Sequence, residues 1–590
     1  MSKLNDFETE IIKLTLSLYG NFAIPRSGVQ TIIHNIDELI ANTYVPRLER
    51  EILSIIQNKC NKEVIDDVES ILRFYKHPFE FVNSEHQRFA LYEKQFGFLL
   101  PQEYIVGYTR VSEIQENALV EKTEPVYAVH IPLRHTLATF LRLPLGNSWR
   151  ERSRHHENEI VVPIHMYEDD VKTGNALGSH AGRNKLGAVY ALLPCLPPHL
   201  LSRLNNIFLV SVFYSDDRKI YGNKSIFNKV SDDLNDLIKK RIEITIGYPC
   251  RICSMPIETL RNSTSEDPSL LPNPQNYEVD VKKNNYSVTG IKEECVFHRI
   301  KNYHITENPA VDIMHDVHED SGSYAMRKIF YQLVVEDQVI LYETLVDRME
   351  TFPYGPTESG KKPPMIKLKH LKENKMLKMS ASEMGCFIRY FGLMFGHLVP
   401  RDNTIWPSYL VLRRIFDIIT ALSLLRNDAV TLKDLDTQYK TLYLKFVGYM
   451  TFKSHMMSYY SQLSLRNEPL VHHWSMRCES KHRDLTIPAV TTSSLKNLLV
   501  TVATRDQLKA TYLSIFGDFN SNILKVKSKN NDEDNDKAKR KFFPLISPSD
   551  IQLLDHVVYN GHTYQSNTVV LVQIDESEDR SLEKFIKFMQ

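Results

Sequence analysis

The sequence carries no excess of either charge, because its 590 residues include 72 Lys and Arg and 72 Asp and Glu. A polybasic or histone-like binder is thereby excluded, and any nucleic-acid binding must use a local basic surface. Cysteine is also scarce, with seven residues scattered along the chain. This odd and irregular set predicts no disulfide framework and indicates a reducing compartment.

Other signals are missing as well. The N-terminus lacks the basic and then apolar order of a signal peptide, and no apolar run approaches the ~20 residues that cross a bilayer. There is no glycine-rich phosphate loop and no nucleophile elbow, so nucleotide hydrolysis and acyl transfer have no support. We expect no membrane association and a nuclear protein, with the cytoplasm as the alternative.

The residue pattern changes along the chain, which predicts several domains. Helical spacing marks the start, nearly continuous apolar runs follow as strands of a sheet covered on both faces, and long helices occupy the second half. The predicted divisions are an N-terminal helical module (1–85), the first part of an α/β core (86–246), a Cys/His insertion (247–307), a helical region (308–520), a disordered charged linker (521–545) and a small β-hairpin module (546–590).

The two ends carry distinct predictions. The N-terminal helices favour a packing or homo-oligomerisation module over a DNA-reading helix-turn-helix, because none of them is strongly basic. The apolar-poor run 525–541 predicts a disordered linker, and its segment Lys537 to Lys541 also fits a nuclear-localisation signal. Beyond it, Asn560-Gly561 between alternating strands predicts a hairpin turn.

The densest set of ligand-type side chains lies between Asp312 and Asp320. Asp312 and His315 are three residues apart, which places them on one face of a helix as a pair that positions or ligates. Glu319 follows on the same helix as a candidate metal carboxylate.

A second acidic group, Glu168-Asp169-Asp170, follows an apolar strand. A carboxylate at the end of a buried strand can hold Mg²⁺, and a helical carboxylate such as Glu319 can complete a two-metal site with ions ~4 Å apart. The alternative interpretation is a solvated acidic loop.

Cys250-Arg-Ile-Cys253 has the spacing of half a zinc knuckle, although two ordinary cysteines near a loop are the alternative. The sequence leaves the other half open. The candidates are Cys295 with His304, Cys295 with His298, and His315 or His318 as competing ligands.

A basic stretch follows Trp474 and contains Arg477, Lys481, His482 and Arg483. Cationic side chains next to an aromatic ring can bind phosphates of a nucleic acid. A buried network of Arg477 with Glu479, or a solvated face, would explain the same residues.

Taken in order, these motifs make the chain resemble transposase-derived proteins of animals, which are related to CACTA-type DDE transposases with an RNase H-like core. The resemblance spans about 90 to 515. It rests on Asp169-Asp170 with Asn175-Ala-Leu-Gly-Ser-His, Lys185-Leu-Gly-Ala-Val-Tyr, Cys250-Arg-Ile-Cys253, Gly290-Ile-Lys-Glu-Glu-Cys295, Asp312-Ile-Met-His315-Asp316 with Glu319, Ser380-Ala-Ser-Glu-Met, and Pro469-Leu through Trp474-Ser-Met-Arg477 to Glu479-Ser-Lys481-His482.

The resemblance implies a degenerate RNase H-like mixed sheet combined with a large helical region, and a DNA substrate cleaved with Mg²⁺ or Mn²⁺. The first catalytic Asp would be Asp169, or else Asp170, and the final Glu would be Glu319. The zinc-binding insertion would begin at Cys250 and Cys253. Its partner ligands would be Cys295 and His304.

The sequence departs from the family pattern in three places. The second catalytic Asp and its strand are missing, because Ile246 runs directly into Gly247 before the cysteines. Lys172 stands where the family commonly has Glu, and Asp320 stands where it commonly has Gly. No finger-type DNA-binding domain precedes the core. Two carboxylates do not readily clamp two ions.

Three functional hypotheses follow. The first is a transposable-element-derived protein that has lost catalysis and acts in DNA or protein binding. The second is an active metal-dependent transposase or nuclease that lacks a segment between Ile246 and Gly247 in its gene model. The third is a zinc-dependent protein-interaction module.

Overall fold

The computed structural model divides the chain into two compact units. One comprises Met1–Ser321 with Arg414–Gly517, and the other comprises Gly322–Arg413 with Asp518–Gln590. The structure describes residues 6–57, 59–115, 118–140, 154–156, 159–173, 185–196, 198–201, 203–238, 248–249, 253, 255, 257–285, 289, 291, 293–301, 303–355, 358–369, 373, 377–467, 469–492, 497–516, 525–528, 554–559, 562–565, 569–570 and 588–589.

Both helices and strands are present, and helices predominate among the described residues. The strands are β1 (Gln102–Gln115), β2 (Ala118–His130), β3 (Arg154–His156), β4 (Glu159–Val161), β5 (His165–Lys172), β6 (Lys185–Leu192), β7 (Phe208–Tyr214), β8 (Tyr248–Pro249), β9 (Pro309–Ala310), β10 (Lys525–Ser528), β11 (Leu554–Tyr559), β12 (His562–Gln565), β13 (Val569–Val570) and β14 (Phe588–Met589).

The helices of the first half and the middle of the chain are α1 (Asp6–Gly20), α2 (Arg26–Leu39), α3 (Val45–Ile56), α4 (Lys62–Lys76), α5 (Glu85–Phe96), α6 (Leu133–Phe140), α7 (Pro198–Leu201), α8 (Ser215–Ile238), α9 (Ile257–Leu260), α10 (Pro274–Lys283), α11 (Gly322–Tyr331), α12 (Tyr342–Thr351) and α13 (Ala381–Phe395). Those that follow are α14 (Trp406–Ile419), α15 (Arg426–Val447), α16 (Phe452–Met456), α17 (Tyr460–Asn467), α18 (Met476–Lys481), α19 (Arg483–Thr491) and α20 (Leu498–Phe516).

The central sheet of the first unit has the strand order β1-β2-β7-β6-β5, and each neighbouring pair is antiparallel. β6 and β7 are buried along nearly their whole length, as their continuous apolar sequences predict. The combination of α and β structure is therefore confirmed. The prediction of a mixed sheet is wrong for these five strands, because even β2 and β7, which are far apart in the sequence, pair antiparallel.

A short parallel pair accompanies this sheet. Tyr248 and Pro249 of β8 lie opposite Pro309 and Ala310 of β9, and β8 contacts β5. β9 leads directly into Asp312, so the pairing places the acidic stretch beside the strand that carries Asp169.

The N-terminal helices are formed as the spacing of their apolar residues predicts, but they do not pack alone. Ile12 and Leu16 of α1 share a core with Phe89 of α5 and with Leu508 of α20. The residues 1–85 predicted as a separate module therefore complete their core with a helix near residue 500 of the same unit.

The charged segment after α20 contains a strand that the sequence did not predict. Lys525–Ser528 pairs antiparallel with β11, with Val526 opposite Val557. Disorder was therefore a wrong prediction for these four residues, whose valine alternates with lysines as in a strand. The rest of the predicted linker, including Lys537 to Lys541, lies outside the described residues. β11 also pairs with β12, and the turn residues Asn560 and Gly561 between them are not described.

The sequence Ser380-Ala-Ser-Glu383 has the Ser-x-x-Glu spacing that predicts a capped helix start, and this prediction is confirmed. Ser380 precedes α13, its Oγ accepts from the backbone N–H of Glu383 at 3.4 Å, and the Glu383 carboxylate accepts from the Ser380 N–H at 2.7 Å. This is the reciprocal capping box that the spacing of these two residues indicates. Within the part of the chain that the structure describes, no helix has the length and apolar character needed to cross a membrane.

Candidate carboxylate–histidine site

Three elements of the first unit bring acidic side chains to one place. β5 carries Asp169, the segment after β9 carries Asp312, and α18 carries Glu479. Asp169 is three residues from the end of β5, so the acids that the sequence places after a strand lie within it. Each of the three carboxylates acts, after the larger effect of burial, to raise the pKa of the buried Cys478 thiol, so all three lie in the neighbourhood of this side chain.

His315 lies at the centre of this group. Its Nδ1 is 2.7 Å from Oδ2 of Asp312, and its Nε2 is 3.1 Å from Oε1 of Glu479. The Glu319 carboxylate is farther away, at 3.9 Å from the same Nε2. The imidazole ring therefore bridges the carboxylates of Asp312 and Glu479.

Asp312 is held by backbone groups as well as by the histidine. Its Oδ1 accepts from the N–H of Met314 at 3.0 Å and from the N–H of Ser475 at 3.2 Å. Burial acts to raise the pKa of Asp312, but the hydrogen bonds from His315 and Ser475 lower it below its usual range. Asp312 is thus an ionised acid that joins the segment after β9 to the residues before α18.

The charges around His315 stabilise its protonated form. The hydrogen bonds to Asp312 and then Glu479 raise the pKa of His315 to about 10. Its side chain is 34% exposed, which leaves one side of the site open to solvent. At neutral pH the histidine is therefore an imidazolium among acidic groups.

The helix that carries His315 has an unusual backbone. Met314–Ser321 is a π-helix, a form that occurs mostly as short segments and often at functional sites. The wider turn directs His318 into the core, where it contacts the rings of Phe416 and Trp474, and its Nδ1 lies 3.0 Å from the carbonyl oxygen of Ile313. His318 is thus placed for packing rather than for ligation beside His315.

Asp316 is a buried acid of the same helix. Burial, and then the neighbouring Asp312, raise the pKa of Asp316 to about 7. The Tyr460 hydroxyl donates to its Oδ2 at 3.1 Å. This carboxyl group therefore changes charge near neutral pH.

The neighbours of Asp169 on β5 are engaged in ion pairs. Lys185 and Ser215 both donate to the Asp170 carboxylate, each at 2.5 Å, and Arg218 pairs with Glu168 at 2.7 Å. Asp169 instead accepts from the Tyr167 hydroxyl at 3.2 Å. Of the two predicted positions for the first catalytic Asp, Asp169 is the one whose described contacts include no cation.

The predicted zinc ligands are in different surroundings. Cys253 Sγ lies 3.4 Å from Nε2 of His455, a fully buried histidine. The ring of His304 stacks on the ring of His298, with 4.1 Å between the ring centres. The backbone N–H of Cys295 donates a hydrogen bond to the Tyr277 hydroxyl at 3.1 Å. Cys250 lies outside the described residues.

The predicted nucleic-acid-binding residues also differ in exposure. Lys481 is buried, 2.7 Å from Asp506 and 3.0 Å from Asp484, so its charge is already neutralised inside the protein. Arg477 and His482 are half-buried, and burial lowers the pKa of both. Only Arg483 among the four is exposed.

The sequence interpretation assigned the final acid to Glu319 and missed the closer acid, Glu479. The available signal was the Glu479-Ser-Lys481-His482 motif, which lies far from the other acids in sequence. Among the described residues, no three His, Cys, Asp or Glu side chains are arranged so that they could hold one metal ion. No protein-family model matches the sequence, and no curated protein is significantly similar to it.

Proposed function

We propose that this chain is a transposable-element-derived protein with a degenerate RNase H-like DDE core, and that it acts in the nucleus by binding DNA or protein rather than by cutting DNA. The observation that carries the loss of catalysis is the bridge from Asp312 through His315 to Glu479, and the proposed origin rests on the sequence motifs. The two ring nitrogens of His315 contact the carboxylate oxygens that would otherwise coordinate a divalent cation.

The arrangement of strands supports the core assignment. β5, β6 and β7 form an antiparallel meander in chain order, and the first of them carries Asp169, where the family resemblance places the first catalytic acid. The β8 and β9 pair then leads to the second acidic segment.

A plasmid-nicking assay tests the loss of catalysis. The full chain, incubated with supercoiled DNA and Mg²⁺ or Mn²⁺, is expected to leave the plasmid intact, as is the Asp169→Asn variant. Nicking by the unmodified chain that is lost in both Asp169→Asn and Glu479→Gln, but kept in the exposed control Asp216→Asn, would overturn the proposal.

DNA binding is tested separately, by a titration at several salt concentrations. Phosphate contacts release counterions, so the affinity for DNA is expected to fall steeply as the salt concentration rises. Arg483→Ala is expected to reduce the slope of log affinity against log salt concentration by about one, because it removes one phosphate contact. A salt-independent or undetectable interaction would instead favour a zinc-dependent protein-interaction module.

The presence of three carboxylates in the neighbourhood of Cys478 favours a second candidate, an active metal-dependent nuclease. Asp169, Asp312 and Glu479 supply oxygen donors of the kind that Mg²⁺ and Mn²⁺ prefer. The donor types suit such an ion, but among the described residues no three such side chains are arranged to hold one, and the ring of His315 lies between Asp312 and Glu479. Residues Ile246 and Gly247, where the sequence lacks the expected second Asp, lie outside the described residues. The nicking assay distinguishes this candidate from the first.

For the zinc site, we infer that His455 is a better partner of Cys253 than His304 is. Two ligands of one tetrahedral zinc, a sulfur at 2.3 Å and a nitrogen at about 2.1 Å, lie about 3.6 Å apart. The 3.4 Å between Cys253 Sγ and His455 Nε2 is close to that separation. Cys250 would be a further thiolate by its spacing in the sequence.

A further inference from the structure

Two buried arginines of the first unit are satisfied in different ways. Arg88 of α5 and Arg505 of α20 are 0% and 2% exposed. Arg88 donates to the Tyr19 hydroxyl, to the side-chain oxygen of Gln30 and to two backbone carbonyl oxygens. All three of its guanidinium nitrogens therefore have acceptors, and neutral groups of the protein are sufficient to hold this cation.

Arg505 lacks such a set of acceptors. Its Nη2 donates to the carbonyl oxygen of Asn21, and its guanidinium lies over the Phe22 ring, 5.8 Å from the centroid. Its Nε and Nη1 are buried and have no hydrogen-bond partner among the described residues. These two atoms carry three of the five N–H donors of a guanidinium. Buried donors without a partner are rare in proteins, and a bound ion is one of the explanations for them.

The charge of Arg505 is also uncompensated. No carboxylate of the described residues acts on it, whereas the neighbouring Arg26 does. Burial, and then the positive charge of Arg26, lower the pKa of Arg505 to about 10, so it remains a cation at neutral pH. Arg26 itself is paired with Glu85, which is therefore already engaged. A buried cation without an anionic partner is strongly unfavourable.

The connection between α1 and α2 adds a further positive group at the same place. Arg505 contacts Asn21 and Phe22 in this connection, and α2 begins at Arg26. Pro25 precedes the helix and provides no side-chain cap. The N-terminus of a helix carries a partial positive charge and favours anions. The start of α2 and the two arginines therefore all favour the same kind of ligand.

We propose that Arg505, together with Arg26 and the start of α2, binds a small oxyanion of the phosphate or sulfate type. A planar guanidinium matches the oxygens of such an anion in geometry as well as in charge. The enclosed position of Nε and Nη1 favours a free ion over the phosphates of a polymer. The site uses none of the residues of the carboxylate–histidine site, so it does not depend on the proposed role in DNA or protein binding.

Titration of inorganic phosphate into the full chain tests the site, with calorimetry as the readout and chloride keeping the ionic strength constant. Saturable binding is expected in the unmodified protein. Arg505→Gln should weaken it at least about tenfold, because charge-assisted hydrogen bonds are lost. Arg47→Gln is the matched control and should bind as the unmodified protein does, because the Arg47 side chain on α3 is 76% exposed. No saturable binding to the unmodified protein, or equal affinity in Arg505→Gln, would overturn the proposal.

Thermal unfolding provides a second test that does not require Arg505→Gln to fold. An anion that binds only the folded state raises the midpoint of unfolding. Millimolar phosphate or sulfate should raise the Tm of the unmodified chain to a plateau, whereas the general effect of these salts on burial has no plateau. Arg26→Gln should shift this plateau to higher phosphate concentrations. An equal rise with chloride at the same ionic strength, or a plateau that Arg26→Gln does not move, would contradict the site.

Discussion

His315 and Glu479 form a 3.1 Å contact between a π-helix after β9 and helix α18, although all of Gly322–Arg413 lies between them in the sequence. Asp312, on the other side of the imidazole ring, is a local neighbour of His315. The contact between His315 and Asp312 could be predicted from their spacing in the sequence. The contact between His315 and Glu479 depends on the fold.

Replacing Glu479 should lower the pKa of His315. In Glu479→Gln one of the two charges that stabilise the imidazolium is lost, so the pKa should fall from about 10 toward the usual value by about one to two units. NMR titration of the His315 ring measures this. Asp216→Asn, an exposed acid on α8, should leave it unchanged, and equal pKa values in the Glu479→Gln variant and the unmodified protein would contradict the bridge.

Asp316 should make the protein less stable as the pH rises toward neutrality. Its folded-state pKa of about 7 lies above the ordinary value of about 3.9, so the folded state binds the proton more tightly and stability falls between these two pH values. Asp316→Asn removes this dependence. Relative to the unmodified protein, it should therefore gain up to about 4 kcal/mol in free energy of unfolding between pH 4 and pH 8.

Urea unfolding at pH 4 and at pH 8 provides the measurement for Asp316. The Tyr460→Phe variant is the control, because it removes the hydrogen bond to Asp316 but leaves the titrating carboxyl group in place. A difference between Asp316→Asn and the unmodified protein that does not change with pH would show that the carboxyl group is not titrating in this window.

Lys481 and Arg483 should differ in their effects on stability. Lys481→Ala leaves the buried carboxylates of Asp484 and Asp506 without this partner, which should cost about 3–5 kcal/mol in free energy of unfolding. Arg483→Ala removes an exposed charge and should change stability by less than about 0.5 kcal/mol. Thermal unfolding of both variants checks this, and similar losses in the two would contradict the buried placement of Lys481.

Zinc content distinguishes the two candidate partners of Cys253. The zinc site proposed above predicts that Cys253→Ser and His455→Asn each reduce the zinc that copurifies with the full chain, because each variant would remove one ligand of the same ion. His304→Asn should leave it unchanged. Loss of zinc in His304→Asn with retention in His455→Asn would restore the assignment made from sequence alone.

Local patterns predicted local structure well. The Ser380 cap depends on residues three positions apart, and the buried strands β6 and β7 are marked by their own apolar sequences. The antiparallel order of the sheet is different, because an apolar strand pairs in either direction and the sequence of one strand does not choose its neighbour.

The candidate site shows the same limit. Asp312 and His315 could be paired from their spacing, and Asp169 from its strand. Glu479 could not be assigned, because its proximity depends on where α18 packs. Lys481, two residues later, looked like a phosphate-binding cation, yet it is neutralised by Asp506, a residue that the local basic pattern does not reveal.

The packing of α1 against α20 has a consequence for the synthesis of the chain. Ile12 and Leu16 need Leu508 to complete their core, so α1 must wait during synthesis until α20 has been made. Until then its apolar face is available to chaperones, and the unit cannot close. A premature stop before residue 498 would remove α20 and leave that face exposed, so such a fragment should aggregate or be degraded rather than persist as a shortened protein.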